Sequence, residues 1–194
     1  KYNVNIYAPG NSDNEIESKF QSFLKSTFWP VSMDMFTAKI KFNHYSSGAF
    51  NISNNIKIIN SPHGHPGGAN SIRAEIDRFS VTYITDCEHP SNHLNQNVID
   101  ISKNTDVLIH DAQYTPEQMR SHKGWGHSSW QHCVEVAKAA NVKKLVLFHH
   151  NPEHGNAILN SIEKNAKSCF DNTFSAREGM ELFIPEQVSE PLIS

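Results

Sequence analysis

Residues 145–152 read Leu145-Val146-Leu147-Phe148-His149-His150-Asn151-Pro152. A run of four or five apolar residues is the mark of a short buried strand. Pro152 has no N–H to give a sheet and stops the run. A pair of histidines therefore stands where a strand ends. In open α/β sheets the carboxyl ends of the strands are where ligand chemistry collects.

Two further stretches repeat the pattern. Phe79 to Ile84 predicts a strand ending at Thr85-Asp86, and Asp106 to Ile109 predicts one ending at His110-Asp111. Two loops add His65, ahead of Pro66-Gly67-Gly68, and His127, after Gly124-Trp125-Gly126. Loops above parallel strand ends converge on one crevice. Histidine and aspartate gathered there are ligands for borderline divalent metals. His65, Asp86, His127 and His149 gain weight from this shared placement, which none of them has alone.

Other residues have blander readings. His63, between Pro62 and Gly64, reads as solvated loop. His44, His93, His122 and His132 read as surface or helix residues, and His110 as a histidine bonded to a backbone carbonyl. Cys87 reads as a small packed residue, and Trp125 and Trp130 as core or pocket wall. His154 is open.

Around these stretches, Val4 to Tyr7 predicts a strand and residues 14–26 a helix capped by Ser12 or Asp13. Lys39 to Phe42 and Ile56 to Ile59 predict strands around a loop rich in Ser, Asn and Gly. Ser71 to Ile76, Asp77-Arg78 and Phe79 to Ile84 predict a hairpin. Helices are expected over Asn95 to Lys103, from Thr115-Pro116-Glu117 onward, over Ser128 to Ala140 and over Asn156 to Phe170. A final strand is expected over Glu181 to Ile184. Hairpins in front and alternating strands and helices behind give an α/β fold, a single layered domain over residues 1–194.

Composition narrows the function. Of 194 residues, 17 are Lys or Arg and 20 are Asp or Glu, for a net charge of −3. That excludes an extended basic face for nucleic acid, while leaving room for an enzyme that meets a nucleotide locally. Histidine, the commonest metal ligand, occurs 12 times. Cys87, Cys133 and Cys169 offer neither a disulfide framework nor a CxxC pair, which suits a reducing, cytoplasmic setting. No run approaches the roughly 18 apolar residues of a membrane span.

Taken in order, several stretches are recognisable: His65-Pro-Gly-Gly, Tyr83-Ile-Thr-Asp86-Cys-Glu-His89, Leu108-Ile-His-Asp111-Ala-Gln-Tyr-Thr115, Gly124-Trp-Gly-His127-Ser-Ser-Trp130, Leu145-Val-Leu-Phe-His149-His150-Asn-Pro152 and Arg177-Glu-Gly-Met180. The chain resembles the metallo-β-lactamase fold hydrolases, in the branch of ribonuclease Z and cyclic-phosphodiester hydrolases. The resemblance implies an α/β, metallo-β-lactamase-like αββα sandwich. It implies two divalent ions, zinc or else manganese or iron, held by His65, by Asp86 as the bridging carboxylate, and by His149. Asp111 and His127 match the pair that handles protons in ribonuclease Z-like enzymes, and His150 is a weaker candidate beside the ligand position.

The family's HxHxDH motif has no counterpart here. The resemblance thus implies a chain carrying the fold without its N-terminal portion, with an incomplete metal site, weak metal binding on its own and exposed apolar sheet surface. The function expected is metal-dependent hydrolysis of a small-molecule or nucleotide phosphodiester. The alternative is a non-catalytic or regulatory module that keeps the fold without a complete metal site. A homo-oligomer is compatible with either, and no membrane partner is expected.

Overall fold

The computed structural model describes residues 2–183 except 26, 28 and 47. The chain divides into two compact units, residues 1–50 and 51–194.

In the first unit, β1 (Asn3–Pro9) lies parallel to β2 (Lys39–Tyr45), with Asn3 opposite Lys39. Parallel neighbours need a crossover, and α1 (Asp13–Phe23) supplies it. Ser12 caps the helix by accepting the Glu15 N–H, and Asp13 and Glu15 favour the positive end of its dipole. The helix buries Ile16 and sets Phe20 against Phe42, with ring centres 5.4 Å apart. It stops at Phe23, short of the expected residue 26.

The second unit is built on a seven-stranded sheet. In spatial order it runs β3 (Gly48–Ser53), β4 (Ile56–His63), β5 (Ala69–Ile76), β6 (Phe79–Ile84), β7 (Val107–Asp111), β8 (Leu145–Phe148) and β9 (Thr173–Ser175). β4, β5 and β6 pair antiparallel. The predicted hairpin is present, with Asp77 at φ +52° in its turn. β6, β7, β8 and β9 are parallel, and Ile84, His110 and Leu147 lie in register.

The crossovers are helical: α2 (Gln96–Ser102) follows β6, the short α3 (Pro116–Met119) and α4 (Trp130–Ala139) follow β7, and α5 (Asn156–Cys169) follows β8. Ile84, Leu108, Leu145 and Leu147 are wholly enclosed with Val98 of α2, Val136 and Ala137 of α4, and Ile162 and Ala166 of α5. Each large aliphatic side chain so buried stabilises the fold by about 1.5–3 kcal/mol relative to exposure. Ile72, Tyr83 and Phe148 remain 36%, 39% and 36% exposed. Ile72 is in register with Tyr83, whose ring lies 5.8 Å from that of Phe148. No helix among the described residues is long and apolar enough to cross a membrane.

Three strand expectations change. The Ser/Asn/Gly-rich loop contains β3, joined to β4 by a two-residue turn at Asn54-Asn55. Its large apolar residues, Phe50 and Ile52, alternate over a single repeat, too short a pattern to announce a strand. Glu181 to Phe183 form no strand, and Ile184 lies outside the described residues. The last strand is instead β9, paired with β8, whose single large apolar residue Phe174 gives almost no pattern.

Candidate metal centre

The in-register ends of β6, β7 and β8 bring Asp86, Asp111 and His149 to one edge of the sheet. Asp86 and His149 both turn into the left-handed region, at φ +54° and +55°. For a residue with a Cβ this costs about 1–2 kcal/mol. Such strain is characteristic of functional sites, where the surrounding structure over-determines the backbone.

The turns aim their side chains at each other. His149 Nε2 is 3.7 Å from Asp86 Oδ1. Donor atoms of Asp86, His127 and His149 all lie within 4.8 Å of one another, and the rings of His127 and His149 stack at 5.0 Å. His65, following β4, presents its ring edge to His127 at 5.8 Å. Its Nδ1 lies 3.1 Å from the Gly126 carbonyl. A carbonyl only accepts, so Nδ1 donates and Nε2 keeps a free lone pair, the form a metal needs. Of the four residues singled out by their strand-end or loop placement, Asp86, His127 and His149 come together, and His65 stands beside His127.

Asp111 is fully buried behind His127. Its Oδ2 accepts from His127 Nδ1 at 2.8 Å and from Cys87 N at 3.3 Å, and its Oδ1 from Gln113 N and Ser128 N at 3.2 Å each. Both oxygens are therefore fully engaged, and His127 is fixed with its Nε2 free.

Two further residues of the site lie within the family-like stretches, but their roles have no signal in the sequence. Glu88 accepts Gly124 N–H on Oε1 and Gly126 N–H on Oε2, both at 2.7 Å, while its own N–H bonds the Gly64 carbonyl at 2.8 Å. It thereby pins the loop carrying His127 to the loop carrying His65. Gly126, at φ +88°, approaches His65 so closely that a Cβ there would stand 2.1 Å from the imidazole Nδ1.

His63 is buried, contrary to its reading as solvated loop. Its Nδ1 meets Ser71 Oγ at 2.8 Å, and its Nε2 donates to the Thr85 and Asp86 carbonyls at 3.1 and 3.0 Å, bracing the turn that presents Asp86. Burial lowers its basicity. His110 does bond a carbonyl, that of Asp111 at 2.9 Å. His132 belongs to the capping box of α4. Burial also lowers the basicity of His150 and His154. Cys87 is packed at zero exposure, while Trp125 is 61% exposed and is no core residue.

A family model described as the beta-lactamase superfamily domain matches residues 3–150. The chain belongs to this superfamily. A ribonuclease Z from Archaeoglobus fulgidus is 39% identical over 88 residues, covering 43% of this chain and 27% of the relative. The chain thus matches well under half the length of that curated relative.

Among solved structures, the metallo-beta-lactamase fold protein YhfI from Bacillus subtilis superposes with a TM-score of 0.67 at 20% identity, over 92% of this chain and 64% of its own. Human tRNase Z, short form, does so with a TM-score of 0.60 at 16% identity, over 93% and 68%. The α/β metallo-β-lactamase fold expected of this superfamily member is the fold observed.

Proposed function

We propose that this protein is a metal-dependent hydrolase of phosphodiester bonds, with a small-molecule or nucleotide substrate, and that His65, Asp86 and His149 hold its metal. The arrangement fits a metal by its donor chemistry. Imidazole and carboxylate donors suit zinc first, with manganese or iron as the other choices. His65 has the right tautomer, and two donors are held there by strained backbone. When bound, a pair of divalent ions supplies a hydroxide nucleophile at neutral pH and neutralises charge on the attacked group. Asp86, whose carboxylate lies 3.7 Å from His149 and is grouped with His127, would be the carboxylate ligand of the set.

The chain's own residues provide the rest. Asp111 fixes His127 in one tautomer and orientation, so that the imidazole's free edge faces the crevice. His127 then delivers a proton to the leaving oxygen. This pair of a buried Asp111 and a His127 stacked on His149 is the observation that carries the proposal. It favours a substrate whose leaving alkoxide needs a proton. Ribonuclease Z relatives support the same substrate class.

A second reading rests on the same geometry. His127 is grouped with Asp86 and His149, and a carboxylate behind a histidine also orients metal ligands. On that reading His127 binds metal. The test is hydrolysis of bis-para-nitrophenyl phosphate by the zinc- or manganese-loaded natural protein. Turnover that disappears in His149→Ala is expected. Low metal occupancy with no phosphodiester turnover would instead support the non-catalytic module.

A further inference from the structure

A second set of metal-binding side chains lies outside the crevice. Cys87, His89 and His110 are all buried, and one donor atom from each lies within 4.8 Å of the others. The Nε2 atoms of His89 and His110 are buried with no hydrogen-bond partner among the described residues. Buried polar atoms almost always find partners, so two orphans in one cluster need an explanation.

Their chemistry follows from the opposite edge of each ring. His110 Nδ1 faces the Asp111 carbonyl at 2.9 Å and must donate, which leaves Nε2 a lone pair. His89 Nδ1 accepts the Asn95 N–H at 3.0 Å, which leaves the proton on Nε2. Cys87 adds a thiol at zero exposure. Of the three, His89 lines a cavity of about 220 Å³ together with Glu88, His132 and the cations Arg120 and Lys123 among others.

We propose that Cys87, His89 and His110 bind one borderline divalent transition ion of the zinc or cobalt class, separate from the crevice. One sulfur and two imidazole nitrogens suit such an ion and disfavour magnesium or calcium, which prefer oxygen. Three protein donors leave the fourth position of a tetrahedral ion to a water. On binding, the Cys87 S–H bond breaks, its proton passes to solvent and a sulfur–metal bond forms. The His89 proton leaves Nε2 for Nδ1, so the Asn95 hydrogen bond is given up for a metal–nitrogen bond. No atom changes oxidation state.

The ion would tie together the segments next to Asp86 and Asp111, since Cys87 and His110 are their chain neighbours. Its function is to hold the two carboxylates of the crevice in register. The proposal does not depend on how the crevice itself works.

The test is cobalt(II) titration of the full chain under reducing conditions, with the exposed Cys169 replaced by serine. The expected result is one equivalent of cobalt showing sulfur-to-metal charge-transfer absorption. That absorption should vanish in Cys87→Ser, weaken at least tenfold in apparent affinity in His110→Gln, and persist in His149→Ala, because the crevice offers only nitrogen and oxygen. Cobalt binding without the sulfur band, or a band that survives Cys87→Ser, would overturn the proposal. X-ray absorption of the zinc-loaded, Cys87-containing chain is independent of whether the variants fold. A sulfur shell at about 2.3 Å supports the site, and a shell of nitrogen and oxygen alone refutes it.

Discussion

The buried carboxylate of Asp111 holds His127 Nδ1 at 2.8 Å, and three backbone N–H groups hold Asp111 in turn. Exchanging it for asparagine leaves one oxygen and puts an N–H donor against N–H donors. The unsatisfied groups cost about 1–3 kcal/mol of stability, and His127 loses its enforced tautomer. If His127 moves protons, Asp111→Asn should slow phosphodiester turnover by roughly 10²–10⁴ at unchanged metal content. Parallel loss of metal, read by elemental analysis, would make His127 a ligand instead.

Glu88→Gln should loosen the site without touching the substrate. Glutamine keeps one acceptor, so either Gly124 or Gly126 loses its 2.7 Å bond. The Gly126 carbonyl holds His65, so crevice metal affinity should fall on the order of 10–100-fold, as for other residues that orient ligands. A metal-buffered competition titration measures this. Unchanged affinity would show that the loop is held by its other contacts.

Two neighbouring glycines should behave differently. Gly124 and Gly126 both have positive φ, +85° and +88°, so alanine at either carries backbone strain of about 1–2 kcal/mol. A Cβ on Gly124 meets nothing within 4 Å, whereas one on Gly126 meets His65 and Pro66 at 2.1–2.7 Å. Gly126→Ala should therefore lower the melting temperature more and also cost metal affinity, and Gly124→Ala should lower the melting temperature alone. Equal effects on both measures would contradict the close approach.

Stability should fall in mild acid. Burial pushes the His110 imidazole down to about 4 and that of His89 to about 2, against about 6.5 in an unfolded chain. Below pH 6.5 the unfolded chain binds protons that the folded chain refuses. The stabilisation is thus complete above pH 6.5 and drains away as pH falls toward 4. For His110 alone it is on the order of 3 kcal/mol. Melting temperatures across pH 7.5 to 4.5 should drop steeply, and less so in His110→Gln. A flat profile would mean these rings are not enclosed in solution.

Much of the site could be read directly from the chain. Apolar runs that stop at Asp86, Asp111 and His149 mark strand ends, because a buried strand has to be apolar and a ligand has to be polar. Weaker patterns failed. β9 is three residues long with one large apolar side chain, and β3 carries only Phe50 and Ile52 as large apolar residues, on alternate positions, while Glu181–Phe183 look like a strand but pair with no described strand.

The sequence by itself determined the α/β order, the superfamily and the candidate set His65, Asp86, Asp111, His127 and His149, since each rests on local pattern and residue chemistry. Only the tertiary structure decided that His63 braces the Asp86 turn from within, that Glu88 locks two loops together, and that Cys87, His89 and His110 share a buried cluster. The His63 and Glu88 roles depend on partners 22 to 38 positions away along the chain, and the cluster joins Cys87 and His89 to His110 of β7. Burial and hydrogen-bond geometry at such distances arise only when the strands are brought into register, and no local pattern encodes them.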